Sequence, residues 1–228
     1  MIKNMLCGAT ALALALTPLA LSPAAAAPSA PSPAAAAVLT LDDALEQLPV
    51  ADESRQGYTR SAFKHWNAGL DPADGCNTRA EVLLAEAVEE PAVSAGCKLT
   101  GGSWISYYDN QEVNDPAKLD IDHMVPLAES WDSGASAWDA KRREAYANDQ
   151  TASASLVAVT ARTNRSKADQ DPAQWMPPLP EAHCRYISEW VATKLRWNLT
   201  ADQAEADALT AYAEGPCETT VVHFTPAP

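Results

Sequence analysis

The run from Lys118 to Gln170 constrains this chain most, because it reads as strand, strand and helix in that order. In KLDIDHMVPL, Leu119, Ile121, His123 and Val125 alternate with Asp120, Asp122 and Met124. A period of two places the two sets on opposite faces of a strand. SLVAVT, residues 155–160, is a second, compact apolar strand candidate. NRSKADQ, residues 164–170, follows as a short polar helix that stops before Pro172. Between the strands, Gly134 separates a short helix from a second one over residues 136–148.

Neighbours on a flat strand point apart, so Asp122 and His123 cannot hold one ion side by side. They can divide the work instead. Asp122 offers a hard oxygen ligand for Mg²⁺ or a similar ion. His123 stays off the metal and takes a proton from water, which an imidazole pKa of about 6.5 allows at neutral pH. Asn164 supplies a neutral amide oxygen as a second ligand, or caps the helix it opens. So few protein ligands leave room for a phosphate and water around the ion.

The flanking sequence reads as α+β, helix-rich, with a small antiparallel strand element in the middle. LTLDDALEQL (39–48) suits a short helix opened by Thr40 or Asp42. YTRSAFKHWNAG (58–69) sets Tyr58, Ala62, Phe63 and Trp66 at helical spacing. Asn77 or Thr78 caps a helix through Val88, and residues 99–108 are rich in strand formers after their Gly-Gly turn. A long helix covers 180–198, and Thr200 caps a last one to about Ala213.

The first 27 residues carry Lys3, an apolar stretch from Ala9 to Leu21, and small residues at Ala24–Ala27. This is a secretory signal peptide, too short in its apolar part to span a bilayer. Residues 28–38 are rich in Ala, Pro and Ser and suit a loose linker. The mature protein is therefore expected outside the cell, without stable membrane association and without an obligate protein partner. Cys7 leaves with the leader, so Cys76, Cys97, Cys184 and Cys217 remain. Four cysteines in an oxidising compartment allow three pairings, of which the sequence-local one is Cys76–Cys97 with Cys184–Cys217. Charge argues the other way from a polyanionic ligand. The chain carries −14, and losing Lys3 with a leader that has no acid makes it −15. Arg142, Arg143, Arg162, Arg165 and Lys167 all fall between residues 142 and 167, where they could gather on one side.

The ordered segments DIDHMVPLAESW, YANDQ, LVAVTARTNRSKADQDPAQWMPP and C-x5-W-V, with GCNTRAEVL and GCKLTGGSW upstream, resemble a family of secreted bacterial HNH (ββα-metal) endonucleases. The likeness runs from about Tyr58 to Cys217. It implies a single nuclease domain over 39–228, built around a ββα-metal core motif at about 97–176 with an antiparallel hairpin. It implies His123 as general base and Asp122 and Asn164 as ligands of one divalent cation, Mg²⁺ first, with Mn²⁺ or Ca²⁺ as alternatives. The substrate implied is nucleic acid, DNA and then RNA; no recognisable base-reading module is appended, which argues for little sequence preference. Asn148 is the candidate for the middle Asn of the motif, with a role in orienting a loop. Glu129 is a further ligand or a brace for His123 or the ion's water. Arg165 and Lys167 beside Asn164, with Lys167 also a catalytic candidate, and the more distant Arg79 are candidates for phosphate contact. Two other readings stay open: a non-catalytic secreted binding or cell-surface domain, and a phosphodiesterase acting on small nucleotides.

Overall fold

Strand β1 (Ala37–Thr40) runs straight into helix α1 (Leu41–Glu46), where Thr40 accepts the Asp43 N–H as N-cap. Asn77 caps α2 (Thr78–Ala85) by accepting the Ala80 N–H. Two small hairpins follow, β2 (Ala92–Ser94) with β3 (Lys98–Thr100), and β4 (Trp104–Ser106) with β5 (Gln111–Val113). Strand β6 (Leu119–His123) leads through Pro126 into α3 (Leu127–Asp132). Asp139 caps α4 (Ala140–Ala147), and β7 (Leu156–Thr160) runs directly into α5 (Ala161–Lys167). The long helix α6 (His183–Trp197) ends on Asn198 in the left-handed conformation, φ 54°. Asp202 caps α7 (Gln203–Ala213), and β8 (Val221–Phe224) returns to pair with β1.

These elements come from a computed structural model, which describes residues 35–228. The expected signal peptide and most of the expected linker lie outside the described residues. Among the described residues the fold is α+β, with seven α-helices and eight strands in four two-stranded antiparallel sheets.

The pairing of β6 with β7 positions everything discussed below. Asp122 lies opposite Val157 and His123 opposite Leu156. Both faces of this ribbon are covered, which is why β7 is apolar without alternation. Leu119, Ile121, Leu156 and Ala158 pack into one core with Trp104 and Leu83. Val157 and Val159 face the larger core, which α6 supplies with Tyr186, Ile187, Trp190 and Val191. Burying each such aliphatic side chain contributes about 1.5–3 kcal/mol.

Several expectations are corrected. Residues 58–69 form no α-helix, only a 3-10 turn at Arg60–Ala62. Phe63 leaves that turn extended and Trp66 sits at φ 59°. The spacing of its aromatics reflects packing from an irregular segment, with Phe63 wedged between Tyr58, Trp131 and Tyr146. In 99–108 the expected Gly-Gly turn is present, Gly101 and Gly102 at φ +68° and +81°, and it parts the end of β3 from β4. Ala37 and Val38, read as linker, are strand residues opposite Phe224 and His223. Thr200 does not cap α7. Its hydroxyl donates to the Ser133 carbonyl, and Asp202 takes the cap.

The disulfides are those expected, Cys76–Cys97 and Cys184–Cys217. The second bridge spans 33 residues and ties the start of α6 to the turn after α7. Replacing Cys184 and Cys217 together by Ser should therefore lower the unfolding free energy by about 3–4 kcal/mol. Urea unfolding measures this, and a loss below about 1 kcal/mol would mean that the bridge constrains little in the unfolded chain.

Candidate functional site

Helix α5 carries Asn164 and Lys167 three residues apart, so both project from one face. That face lies over β6. Lys167 reaches beneath it and is fully buried, with no exposed surface. Its Nζ donates to Asp122 Oδ2 at 2.5 Å, to the His123 carbonyl at 3.1 Å and to the Met124 carbonyl at 2.7 Å. The Tyr108 hydroxyl donates to the same Asp122 oxygen at 2.6 Å. Oδ2 is thereby used, while Oδ1 accepts no hydrogen bond among the described residues. Burial raises the Asp122 pKa and lowers that of Lys167, each against the attraction of the other's charge. On the same face of β6, Asp120 Oδ2 accepts from Asn164 Nδ2 at 3.3 Å and lies 3.5 Å from Arg165 Nε. That leaves the amide oxygen of Asn164 without a partner among the described residues.

His123 sits between two aromatic rings, stacked with Trp66 at 5.5 Å and with Tyr146 at 6.4 Å between centroids. Its Nε2 lies 3.0 Å from the Ala147 carbonyl. A carbonyl only accepts, so Nε2 carries the hydrogen and Nδ1 is the basic nitrogen. Among the described residues no hydrogen bond reaches Nδ1. Burial pushes the His123 pKa down from 6.5 to about 3, which keeps the ring neutral. The carbonyl that fixes this tautomer is held in turn by Asn148, the C-cap of α4. The Asn148 side chain accepts from the Asn67 N–H and the Thr78 hydroxyl, and donates to the Lys64 and Glu144 carbonyls. With both ends of its amide engaged, Asn148 braces the loop rather than meeting a substrate.

Asp122, His123, Asn164 and Arg165 border one cleft of about 180 Å³, together with Arg60 and Asp169. The strand alternation holds, yet both faces reach the cleft because His123 is the last residue of β6. A roomier cleft of about 620 Å³ lies by Thr160 and Arg162 at the other end of the ribbon, and no histidine lines it.

Three expected site residues lie elsewhere or act otherwise. Lys167 cannot meet a phosphate, since its ammonium is enclosed and all three hydrogens are used internally. Arg79 donates to the Pro116 and Leu119 carbonyls at 3.0 Å and anchors the entry to β6. Glu129 turns away from the cleft toward Lys194 of α6, whose Nζ lies 2.9 Å from Glu129, 2.5 Å from Glu205 and 3.9 Å from Glu53. Those three carboxylates lie within 4.8 Å of one another, close enough for an ion. The Lys194 ammonium already supplies a cation there. Burial and then Glu129 raise the Glu53 pKa to about 8, and burial raises that of Glu205 to about 7, so the group carries less negative charge than three carboxylates would.

Sequence reasoning missed Tyr108, Trp66 and Arg60. The first was hidden in a strand-like run. The other two lie in the segment misread as a helix. The spacing of Asn164 and Lys167 was the available signal for the buried pair.

Residues 80–212 match the model of a family described as GmrSD restriction endonucleases, C-terminal domain. The chain belongs to this family. Membership supports nuclease activity and a nucleic-acid substrate at the level of the family. An uncharacterized secreted protein from Arthroderma benhamiae is 38% identical over 172 residues, covering 75% of this chain and 82% of its own length. The resemblance implied a bacterial group, whereas this relative is fungal. Two disulfides here suit an extracellular setting like that of the secreted relative. No helix among the described residues is long and apolar enough to cross a membrane. No solved structure matches the chain.

Replacing Lys167 by Met should strand a buried carboxylate at Asp122 and destabilise the fold by about 3–5 kcal/mol. Adding Asp122→Asn should recover part of that loss, because the pair is then removed together. Denaturant unfolding of the four-protein cycle checks this, and additive losses would show that the two groups do not act as a pair.

Proposed function

We propose that this chain is a secreted HNH-type endonuclease that hydrolyses phosphodiester bonds of DNA, and also of RNA, with little sequence preference. The observation that carries this reading is the state of His123. One ring nitrogen is committed to a backbone carbonyl, the other is unprotonated, and the ring borders a cleft with a carboxylate and an amide. We place the nuclease domain from β1 onward, behind a signal peptide over 1–27 and a short linker.

The donor set fits a hard divalent cation. Among the described residues, Asp122 Oδ1 and the Asn164 amide oxygen are both without hydrogen bonds, and no sulfur or second imidazole borders the cleft. These two residues would hold the ion, Mg²⁺ first. When bound, it supplies positive charge against the charge building on the phosphate and the departing 3′ oxygen. His123 Nδ1 takes the proton from the attacking water. The Ala147 carbonyl, accepting from Nε2–H, stabilises the positive ring that results. Lys167 and Tyr108 hold Asp122 by Oδ2, which leaves Oδ1 for the ion. Arg165 lies beside Asn164 on an exposed part of α5, where it can meet the phosphate.

The test uses mature protein with plasmid DNA and with RNA, in Mg²⁺, in Mn²⁺ and in chelator, beside His123→Ala. Cleavage should need the ion and fall by about 10²–10⁴-fold in the variant. A variant cutting at the parental rate would remove His123 from the chemistry. Hydrolysis of a small phosphodiester with no cleavage of either polymer would favour the small-nucleotide reading.

A further inference from the structure

Most of the cations in this acidic chain are committed to its own structure. Arg79, Arg142 and Arg143 donate to backbone carbonyls. Arg196, Lys167 and Lys194 pair with buried carboxylates. Arg55, Lys64 and Arg185 each lie within 2.8 Å of a carboxylate oxygen. Among the described residues, two cationic side chains border the His123 cleft, Arg165 from α5 and Arg60 from the 3-10 turn before Phe63. Arg165 is drawn to within 3.5 Å of Asp120. Among the described residues Arg60 makes no side-chain hydrogen bond and no ion pair.

The backbone under Arg60 is nevertheless firmly held. The Phe63 N–H returns to the Arg60 carbonyl, and Arg143 Nε donates to the Ala62 carbonyl at 3.2 Å. Phe63 is 1% exposed and packs in the larger core. Lys98, Lys118 and Lys141 are unpaired too, but of the unpaired cations among the described residues Arg60 is the one that borders the His123 cleft, on an exposed and fixed turn. A guanidinium presents paired N–H donors that match phosphate oxygens.

We infer that Arg60 is a phosphate-binding residue of the cleft and that, with Arg165, it holds a single nucleic-acid strand by only two or so phosphates. This rests on the nuclease reading above. It adds which cation meets the backbone and how few phosphates are gripped. Acidic groups elsewhere repel a long polyanion, so binding depends on this small contact.

The salt dependence of binding counts phosphate contacts, at about 0.7 in slope per contact for a single strand. The full mature chain carrying His123→Ala would be titrated against fluorescein-labelled single-stranded DNA at about 50–200 mM salt, in chelator. The expected slope of log affinity against log salt is about −1.4. Arg60→Ala should make it shallower by about 0.7 and weaken binding to a similar extent for every oligonucleotide sequence. Arg60→Lys should restore the slope. Lys98→Ala removes the same charge from β3, outside the cleft, and should change neither quantity. An Arg60→Ala protein that melts normally and keeps the parental slope would overturn the inference, even with weakened binding. A steep parental slope of about −4 or more would overturn the small grip. A wild-type protein that neither binds nor cuts nucleic acid would instead overturn the nuclease reading.

Discussion

The ammonium of Lys167 has no contact with water, and its three hydrogens end on the Asp122 carboxylate and on the carbonyls of His123 and Met124. One buried donor thus fixes both the side chain of the candidate ligand and the backbone of the candidate base. Such a charge is tolerable inside only when paired and fully hydrogen-bonded. The surroundings add the ring faces of Tyr186 and Trp190, at 5.5 and 5.6 Å. Because Lys167 stands one turn beyond Asn164, docking this one side chain also sets Asn164 over β6. The strand, the strand end and the helix are registered by a single interaction.

A second restraint acts on His123 from the opposite side. The connection between β6 and β7 contains α3 and α4, so the carbonyl that meets Nε2 comes from a long excursion and not from a tight turn. Asn148 closes that excursion by bonding to residues near 64–67 and to Thr78. Burial then lowers the His123 pKa to about 3. Relative to an unfolded value of 6.5, the folded ring resists protonation. The stabilisation linked to it is complete above about 6.5 and is lost as pH falls toward 3. The same burial makes Nδ1 a weaker base than a free imidazole, so the neutral ring is always available, and positive charge forming on it must be offset by the Ala147 carbonyl and by groups brought with the substrate.

The parts of this arrangement legible in the sequence were those with a period or a fixed order. The alternation in LDIDH placed Asp120 and Asp122 together, and the apolar run LVAVT found its strand. The local pairing of the cysteines also held. What failed was direction at a distance. Glu129, six residues after His123, lies in α3, which turns it toward Lys194, and no local pattern records where α6 will lie. Lys167 read as a phosphate-contact and catalytic candidate on a polar helix, because a buried lysine is rare and its partners are 44 and 45 residues away. Arg60 and Trp66 sit in a segment whose aromatic spacing imitates a helix but serves packing. The acidic composition likewise says nothing of which few cations stay unpaired.

The protonation state of His123 is the point on which site and chemistry both turn. Nitrogen-15 NMR of histidine-labelled protein, titrated from neutral pH downward, reads the tautomer and the pKa of this ring directly. The expected spectrum shows hydrogen on Nε2 and a free, basic Nδ1, with no protonation until the pH is far below 6.5 and near 3. A ring that titrates close to 6.5, or that carries its hydrogen on Nδ1, would contradict the assignment of His123 as a pre-set neutral base.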